Sequence, residues 1–199
     1  MRLAKSNQRE RGFTLLEVLI SLVILVFGVL GLVGLQARAQ VATFESYQRG
    51  QALILVQDMA DRIATNRGSA GCYQITTDIT NGTPSLGTGY GGTPTCTAAV
   101  GTATTRAIAD ADLQAWNNAL KGAAETAGTD KVGGVVGARG CVSYDLPTNS
   151  YRVAVAWQGM AATVAPTAGD TAATCGKNQY GAEAQRREVS IIVRIANLT

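Results

Sequence analysis

A long apolar run near the start of the chain constrains its fold more than any other feature. Residues 13–35 contain only three polar side chains, those of Thr14, Glu17 and Ser21. At about 1.5 Å of rise per residue, the run makes a helix of about 34 Å, enough to cross a hydrocarbon core of about 30 Å. The sequence therefore predicts a transmembrane helix over residues 13–35.

The net charge of the chain lies before this run. The formal net charge is +3, and residues 1–12 alone account for it, because they hold four basic side chains and one acidic side chain. Positive charge on one flank of a membrane helix keeps that flank in the cytoplasm, so the C-terminal part is predicted to cross the membrane. The remaining residues are net neutral, which argues against nucleic acid as a partner.

The junction between Gly12 and Phe13 differs from an ordinary secretory signal. Such a signal has its small-residue cleavage site after the apolar region. Here the small residue, Gly12, stands before the apolar region. Cleavage after Gly12 would remove a charged leader, residues 1–12, and leave the apolar helix on the mature protein.

Glu17 is the one carboxylate inside the apolar run, and two interpretations fit it. Thr14 and Glu17 have the spacing of a capping box, in which the two side chains satisfy free N–H groups at a helix start. Alternatively, the Glu17 carboxylate pairs with the N-terminal amine of a neighbouring subunit, because both ions are costly to leave unpaired in a low-dielectric environment. Its position alone leaves both interpretations open.

The residues at this junction resemble a known processing signal, the class III signal of type IV pilins and pseudopilins. The run that carries the resemblance is Gly12-Phe13-Thr14-Leu15-Leu16-Glu17-Val18-Leu19-Ile20. The resemblance implies that a membrane prepilin peptidase cleaves between Gly12 and Phe13 and then methylates the amine of Phe13. It also places Glu17 at the family's glutamate, which implies that Glu17 sets the register between subunits. No cofactor is implied.

The helical pattern continues beyond the apolar run, and no proline occurs before Pro84. In the second half, apolar residues recur at steps of three and four, at Leu53, Val56, Ala60 and Ile63. This spacing predicts a buried stripe on an amphipathic helix. One long helix is therefore predicted over residues 13–67, with Gly68 as its C-cap.

Three glycines, Gly28, Gly31 and Gly34, interrupt the apolar run. Glycine in a membrane helix often lets a neighbouring helix approach closely. The alternative is a flexible segment that loosens when the helix moves from membrane to filament. Both interpretations are open from the sequence.

Residues 68–199 are long enough for one globular head with a modest core. The Gly- and Thr-rich residues 71–106 are predicted to be mostly loop, with room for a short strand. Residues 110–121 are predicted to form a short helix with Asp110 or Asp112 as its N-cap.

Alternating side chains near the C-terminus predict three strands, at Val135–Tyr144, Tyr151–Trp157 and Arg187–Ile195. The second of these strands is expected to be half-buried, with Tyr151, Val153, Val155 and Trp157 on its buried face. Turn residues over 145–150 join the first two as a hairpin, and residues 158–185 are predicted to be a long loop. Together with the resemblance, this pattern predicts an α+β, type IV pilin-like fold. In that fold, a long N-terminal helix packs on a small antiparallel sheet.

Four cysteines, all in the head, lie far apart in a chain that has no histidine, which disfavours a zinc site. In an exported domain two disulfides are the better interpretation. Cys72–Cys96 and Cys141–Cys175 are the favoured pairs, because each closes a poorly structured stretch. Without histidine, and with oxidised cysteines, the chain lacks the groups of common hydrolases, so neither an enzyme nor a small-molecule substrate is expected.

Further segments resemble one group within the superfamily, the minor pilins called type IV pilus modification proteins (PilV). They are residues 16–25, 28–36 and 58–66, the helix around Trp116, the strand ending Val155-Ala-Trp157 and the strand from Arg186. The resemblance implies a role in pilus assembly and initiation, with prepilin peptidase, other minor pilins and the major pilin as partners. It also implies location in the inner membrane with a periplasmic head, and later in the pilus. The alternative is a pseudopilin of a type II secretion or DNA-uptake system.

Overall fold

The computed structural model describes residues 12–123, 126–128, 130–131 and 133–196. The predicted leader therefore lies, except for Gly12, outside the described residues. The chain divides into two compact units, with the boundary between Thr43 and Phe44.

The described part of the chain has two α-helices and six strands. The helices are α1 (Leu15–Thr65) and α2 (Ala103–Leu120). The strands are β1 (Leu86–Gly87), β2 (Thr126–Ala127), β3 (Asp130–Lys131), β4 (Arg139–Asp145), β5 (Ser150–Gln158) and β6 (Arg186–Arg194). Short 3-10 segments occur at Arg67–Tyr73, Pro166–Ala168 and Glu183–Gln185.

The first unit contains the beginning of α1. Every residue from Gly12 to Gln40 is exposed. Among the helices described, α1 is the one that is long and apolar enough to cross a membrane. It includes the apolar segment predicted over residues 13–35.

In the second unit, α1 buries one face, but not the predicted stripe in full. Its buried residues are Gln48, Ala52, Val56, Met59, Ala60 and Ile63. Leu53 is 46% exposed, so its inclusion in the stripe is wrong. The stripe passes through Ala52 instead, because Leu53 lies one residue, about 100°, further around the helix.

The end of α1 also differs from the prediction. The helix ends at Thr65, and Gly68 lies inside the following 3-10 segment. The backbone of Gly68 is not left-handed, so it does not form the predicted glycine C-cap. Asn66 directly follows the helix, and its side-chain amide donates to the Thr105 carbonyl oxygen of α2 at 2.8 Å.

The predicted short helix is longer and begins earlier than residues 110–121. The helix α2 has Thr102 as its N-cap, in a capping box with Thr105. The assignment of the N-cap to Asp110 or Asp112 is therefore wrong. Residues 103–109 contain only one large apolar side chain, that of Ile108, so no apolar stripe marks this first part of the helix in the sequence.

Four strands form one antiparallel sheet in the order β1-β4-β5-β6, and β2 pairs with β3 separately. Val153 on β5 stands opposite Val142 on β4 and Ile191 on β6. The first long strand begins at Arg139 rather than Val135, because the Ala138 N–H donates to the Val135 carbonyl oxygen in a turn. The hairpin and the α+β fold are confirmed.

The core of the head lies between one face of this sheet, termed the inner face, and the two helices. Val153, Val155 and Trp157 of β5 pack there with residues of α1 and with Trp116 of α2. The Trp116 indole donates to the Leu55 carbonyl oxygen at 2.8 Å, which joins α2 to α1. Each such buried large apolar side chain contributes about 1.5–3 kcal/mol.

The opposite face, termed the outer face, is also covered. Cys141, Ala154 and Ala156 pack there with Cys175 and Tyr180 from the loop over residues 159–185. The prediction of a half-buried β5 is therefore wrong, since Ser150 and Tyr151 and all residues from Val153 to Trp157 are buried. The loop adds a third layer above the sheet.

Candidate functional site

The start of α1 presents the predicted processing site at the surface. Gly12 and Phe13 are exposed and precede the helix, with Phe13 82% exposed. The Thr14 hydroxyl accepts a hydrogen bond from the Glu17 N–H at 3.3 Å, and the Thr14 carbonyl oxygen accepts from the Val18 N–H at 3.3 Å. Thr14 therefore caps the helix, and the peptide bond after Gly12 lies outside the hydrogen-bonded helix.

The Glu17 carboxylate lies in the first turn of α1 and is exposed. Within the described residues, it makes neither a side-chain hydrogen bond nor an ion pair. Only the threonine half of the capping box is therefore formed there. A carboxylate in the first helical turn still interacts favourably with the helix dipole.

The apolar side chains that follow are exposed on all sides of α1. Their exposed fractions run from 43% at Val23 to 83% at Leu15. An apolar surface of this extent is typical of a membrane or protein interaction site.

The helix passes unbroken through Gly28, Gly31 and Gly34. A Cβ atom added at any of the three would meet nothing within 4 Å in this chain. Contacts within the described chain therefore do not require glycine at these positions. The two interpretations of these glycines remain predictions.

Two disulfides fasten the head, Cys72–Cys96 and Cys141–Cys175. These are the pairs favoured from the sequence. The first joins the 3-10 segment after α1 to the loop before α2. The second joins β4 to the loop on the outer face. Within the described residues, no group of three or more His, Cys, Asp or Glu side chains could hold a metal ion.

Glu45 of α1 binds the beginning of the loop over residues 159–185, termed the outer loop. Its carboxylate accepts hydrogen bonds from the N–H groups of Met160 at 2.7 Å and Ala161 at 3.3 Å, and it pairs with Arg187 at 3.1 Å. Burial raises the pKa of Glu45, but the two N–H groups and the Arg187 guanidinium outweigh burial and hold this pKa below its usual range. The cluster joins α1, β6 and the loop.

In the described part of the head, Arg186 is a charged residue whose long side chain is fully buried. It is 0% exposed, and it pairs with Glu188 at 2.6 Å and with Glu183 at 2.8 Å. It also donates to the carbonyl oxygens of Ala173 and Cys175. Burial raises the pKa of Glu188 to about 7, although the Arg186 charge opposes that shift.

The two aspartates predicted as N-caps serve other contacts. Asp110 accepts a hydrogen bond from the Cys96 N–H at 2.5 Å. Asp112 accepts from the Tyr73 hydroxyl at 2.5 Å and from Arg62 at 2.7 Å. Burial, with Asp112 beside it, raises the pKa of Tyr73. These bonds join α2 to α1 and to the first disulfide loop.

Sequence reasoning missed Glu45 and Arg186 as organising residues. A charged residue in an amphipathic helix or at a strand end usually faces water, so neither position attracts notice. The one available signal is the dense run of charges over residues 183–188, directly before a strand.

A long helix with an apolar first part, together with a four-stranded antiparallel sheet, defines the α+β fold of type IV pilins. Residues 34–114 match the family model described as type IV pilin Tt1218, and residues 7–33 match the prokaryotic N-terminal methylation motif. The two adjoining matches support the type IV pilin superfamily and a pilin or pseudopilin role. The pilin family is structural rather than enzymatic. No curated protein and no solved structure matches the chain significantly.

Proposed function

We propose that this protein is a minor pilin of the type IV pilus, of the pilus modification type, that takes part in assembly and initiation of the fibre. The observation that carries the proposal is the start of α1. An exposed Gly12–Phe13 junction is followed by a capped helix whose Glu17 carboxylate lacks a partner within the described chain. The methylation-motif match covers these residues.

In the proposed mechanism, prepilin peptidase removes residues 1–12 and methylates the amine of Phe13. The resulting ammonium of one subunit then pairs with the Glu17 carboxylate of its neighbour. Since Thr14 already caps the helix, the carboxylate is free for this contact. In a low-dielectric surrounding such a pair is favoured over two separate charges, and it sets the axial register of neighbouring helices.

The apolar part of α1 supports the same proposal. Residues 13–35 serve as the membrane anchor before assembly and as the filament core after it. Both surroundings are apolar, so the exposed side chains from Phe13 to Leu35 remain shielded from water in each. In the proposed division of the chain, residues 13–67 are the helical segment, of which Leu15–Thr65 form α1, and residues 68–199 are the periplasmic head.

The proposed partners are the prepilin peptidase, other minor pilins and the major pilin, contacted through the N-terminal helix. The proposed location is the inner membrane, with a cytoplasmic N-terminus, and then the base or tip complex of the pilus. The basic leader, residues 1–12, supports this orientation.

Mass spectrometry of the mature N-terminus tests the processing step. We expect a chain that begins at N-methyl-phenylalanine 13. A chain that begins at Met1, or beyond Leu35, contradicts the proposal.

A pair of variants tests the role of Glu17. In Glu17→Gln the shape is kept and the charge is lost, so processing should continue while incorporation into fibres falls at least tenfold. Thr14→Ala is the matched control, because it removes the cap and leaves the carboxylate; incorporation should stay within about twofold of the native protein. Equal effects of the two variants on incorporation would contradict the registration role and leave Glu17 with a role only at the helix start.

The second candidate is a minor pseudopilin of a type II secretion or DNA-uptake system. Pseudopilins have the same kind of cleavage junction, so the methylation-motif match fits a pseudopilin as well as a minor pilin. Deletion of the gene distinguishes them: loss of twitching motility supports the pilus, and loss of protein secretion or of DNA uptake supports the alternative.

A further inference from the structure

The outer face of the sheet carries a cavity of about 640 Å³. Its floor is the outer face of β4, β5 and β6, including Ala154. One wall is the segment over residues 76–82 and the other is the loop over residues 167–177. A volume of this size falls within the range of about 300–1,000 Å³ found for small-molecule sites.

The two walls of this cavity are fixed to each other and to the floor. The Cys141–Cys175 disulfide joins the loop wall to the floor. The Thr174 hydroxyl donates to the Ile79 carbonyl oxygen, which joins the two walls. Arg152 on the floor pairs with Asp170 of the loop at 2.5 Å. The cavity is thus preformed, which lowers the entropy that a ligand loses on binding.

Hydroxyl groups dominate the polar part of the lining. Eight of the 21 lining residues are serine or threonine. The hydroxyls of Ser143, Thr167 and Thr171 make no side-chain hydrogen bond within the described residues. A hydroxyl both donates and accepts, so these groups suit a ligand that also offers both functions.

The charges in and beside the cavity balance. Three basic side chains line it, those of Arg152, Lys177 and Arg194, together with two acidic ones, Asp145 and Glu188. Asp170 neutralises Arg152, and the buried Arg186 is held by Glu183 and Glu188. A balanced lining favours neither a cationic nor an anionic ligand.

Apolar surface accompanies the hydroxyls. Ile79 and Ile192, both lining residues, are 61% and 60% exposed. A ligand with an apolar face and a hydroxylated edge therefore fits the cavity better than a fully polar one. An extended peptide fits poorly, because the floor is the face of the sheet and its backbone groups are already used in strand pairing.

We propose that this cavity binds a neutral polyhydroxylated ligand, namely one or two sugar units of a glycan. The C–H face of a sugar ring lies against Ile79, Ile192 and Ala154, and its hydroxyls exchange hydrogen bonds with the free serine and threonine hydroxyls. The site is a property of the head, and it goes beyond the proposed role in assembly.

The test uses the full chain in a polyoxyethylene detergent, which carries no sugar that could compete. The protein is applied to a glycan array, and the free methyl glycoside of each retained sugar is titrated by calorimetry. Ala172→Trp fills the cavity from an exposed lining position and leaves the ion pairs in place. We expect it to weaken binding at least tenfold. Ala107→Trp, exposed on α2 and outside the lining, is the matched control and should change binding less than twofold.

A second variant, Ser143→Ala, removes one free hydroxyl and should weaken binding several-fold without loss of the fold. Retention of no glycan by the native protein overturns the proposal. So does binding that Ala172→Trp leaves unchanged, or competition by octanoate instead of by the glycoside. Fibre incorporation of Ala172→Trp is measured in parallel, so failure of sugar binding is separable from failure of the pilin role.

Discussion

The Glu45 carboxylate accepts a hydrogen bond from the Met160 N–H at 2.7 Å, across 115 residues of sequence. The same carboxylate pairs with Arg187 on β6. One side chain of α1 therefore holds both the last strand and the beginning of the outer loop. Its removal should loosen that loop without disturbing the core on the inner face.

The variant Glu45→Gln is expected to lower the free energy of unfolding by about 1–2 kcal/mol, since a charge-assisted contact is lost at a partly exposed site. Hydrogen exchange at the Met160 and Ala161 amides should accelerate. Arg49→Gln, one turn along the same helix, is the control and should leave both amides unchanged. Because the folded pKa of Glu45 is lowered, its contribution is present near neutral pH and is lost as pH falls through that pKa.

The raised pKa of Glu188 predicts that stability depends on pH in the opposite direction. Its folded pKa is raised from 4.5 to about 7, so the folded state binds a proton more tightly than the unfolded state does. Stability should therefore decrease as pH rises from about 5 to about 7, by at most about 3 kcal/mol. Carboxylates with lowered pKa values, such as Glu45 and Asp170, titrate at lower pH, so they change stability below the range from pH 5 to pH 7.

Urea unfolding at pH 5 and pH 7 measures this dependence. In Glu188→Gln the difference between the two pH values should shrink, because the titrating group is gone. A native protein that gains stability between pH 5 and pH 7 would show that Arg186 keeps Glu188 ionised throughout.

The helix α2 packs closely against Gly140 of β4. A Cβ atom there would lie 2.4 Å from the Trp116 ring and 2.5 Å from Leu120. Gly140→Ala is therefore expected to destabilise the head by about 1–3 kcal/mol through overpacking. Gly91→Ala is the control, because that position is open and exposed, and its urea midpoint should not fall.

Thr102 begins α2 through a capping box with Thr105. Thr102→Ala should cost about 0.5–2 kcal/mol of stability. Thr104→Ala, exposed within the first turn, is the matched control and should be nearly neutral. Equal stabilities of Thr102→Ala and Thr104→Ala would contradict the assigned cap.

Features that depend on neighbouring residues could be predicted from the sequence. The apolar run, the hairpin over residues 145–150 and the alternation along β5 are local patterns, and each corresponds to an element of the structure. The two cysteine pairs followed from loop closure, which also depends on position along the chain.

Features that depend on distant contacts could not be predicted. Ala52 replaces Leu53 in the buried face because the sheet and α2 decide which side of α1 is covered. The outer loop buries Ala154 and Ala156, although alternation alone assigns them to solvent. The Glu17 carboxylate has no hydrogen-bond or ion-pair partner within the described residues, so its proposed role in assembly stays a prediction.

The three-layer arrangement of the head has an evolutionary consequence. The helices and the sheet share one core, whereas the outer loop is attached at separate points, among them Cys175, the buried Arg186 and Glu45. Residues between these attachments can change in identity and number without repacking the helix–sheet core. Related chains can therefore diversify the surface they present to their surroundings while conserving the helix–sheet core.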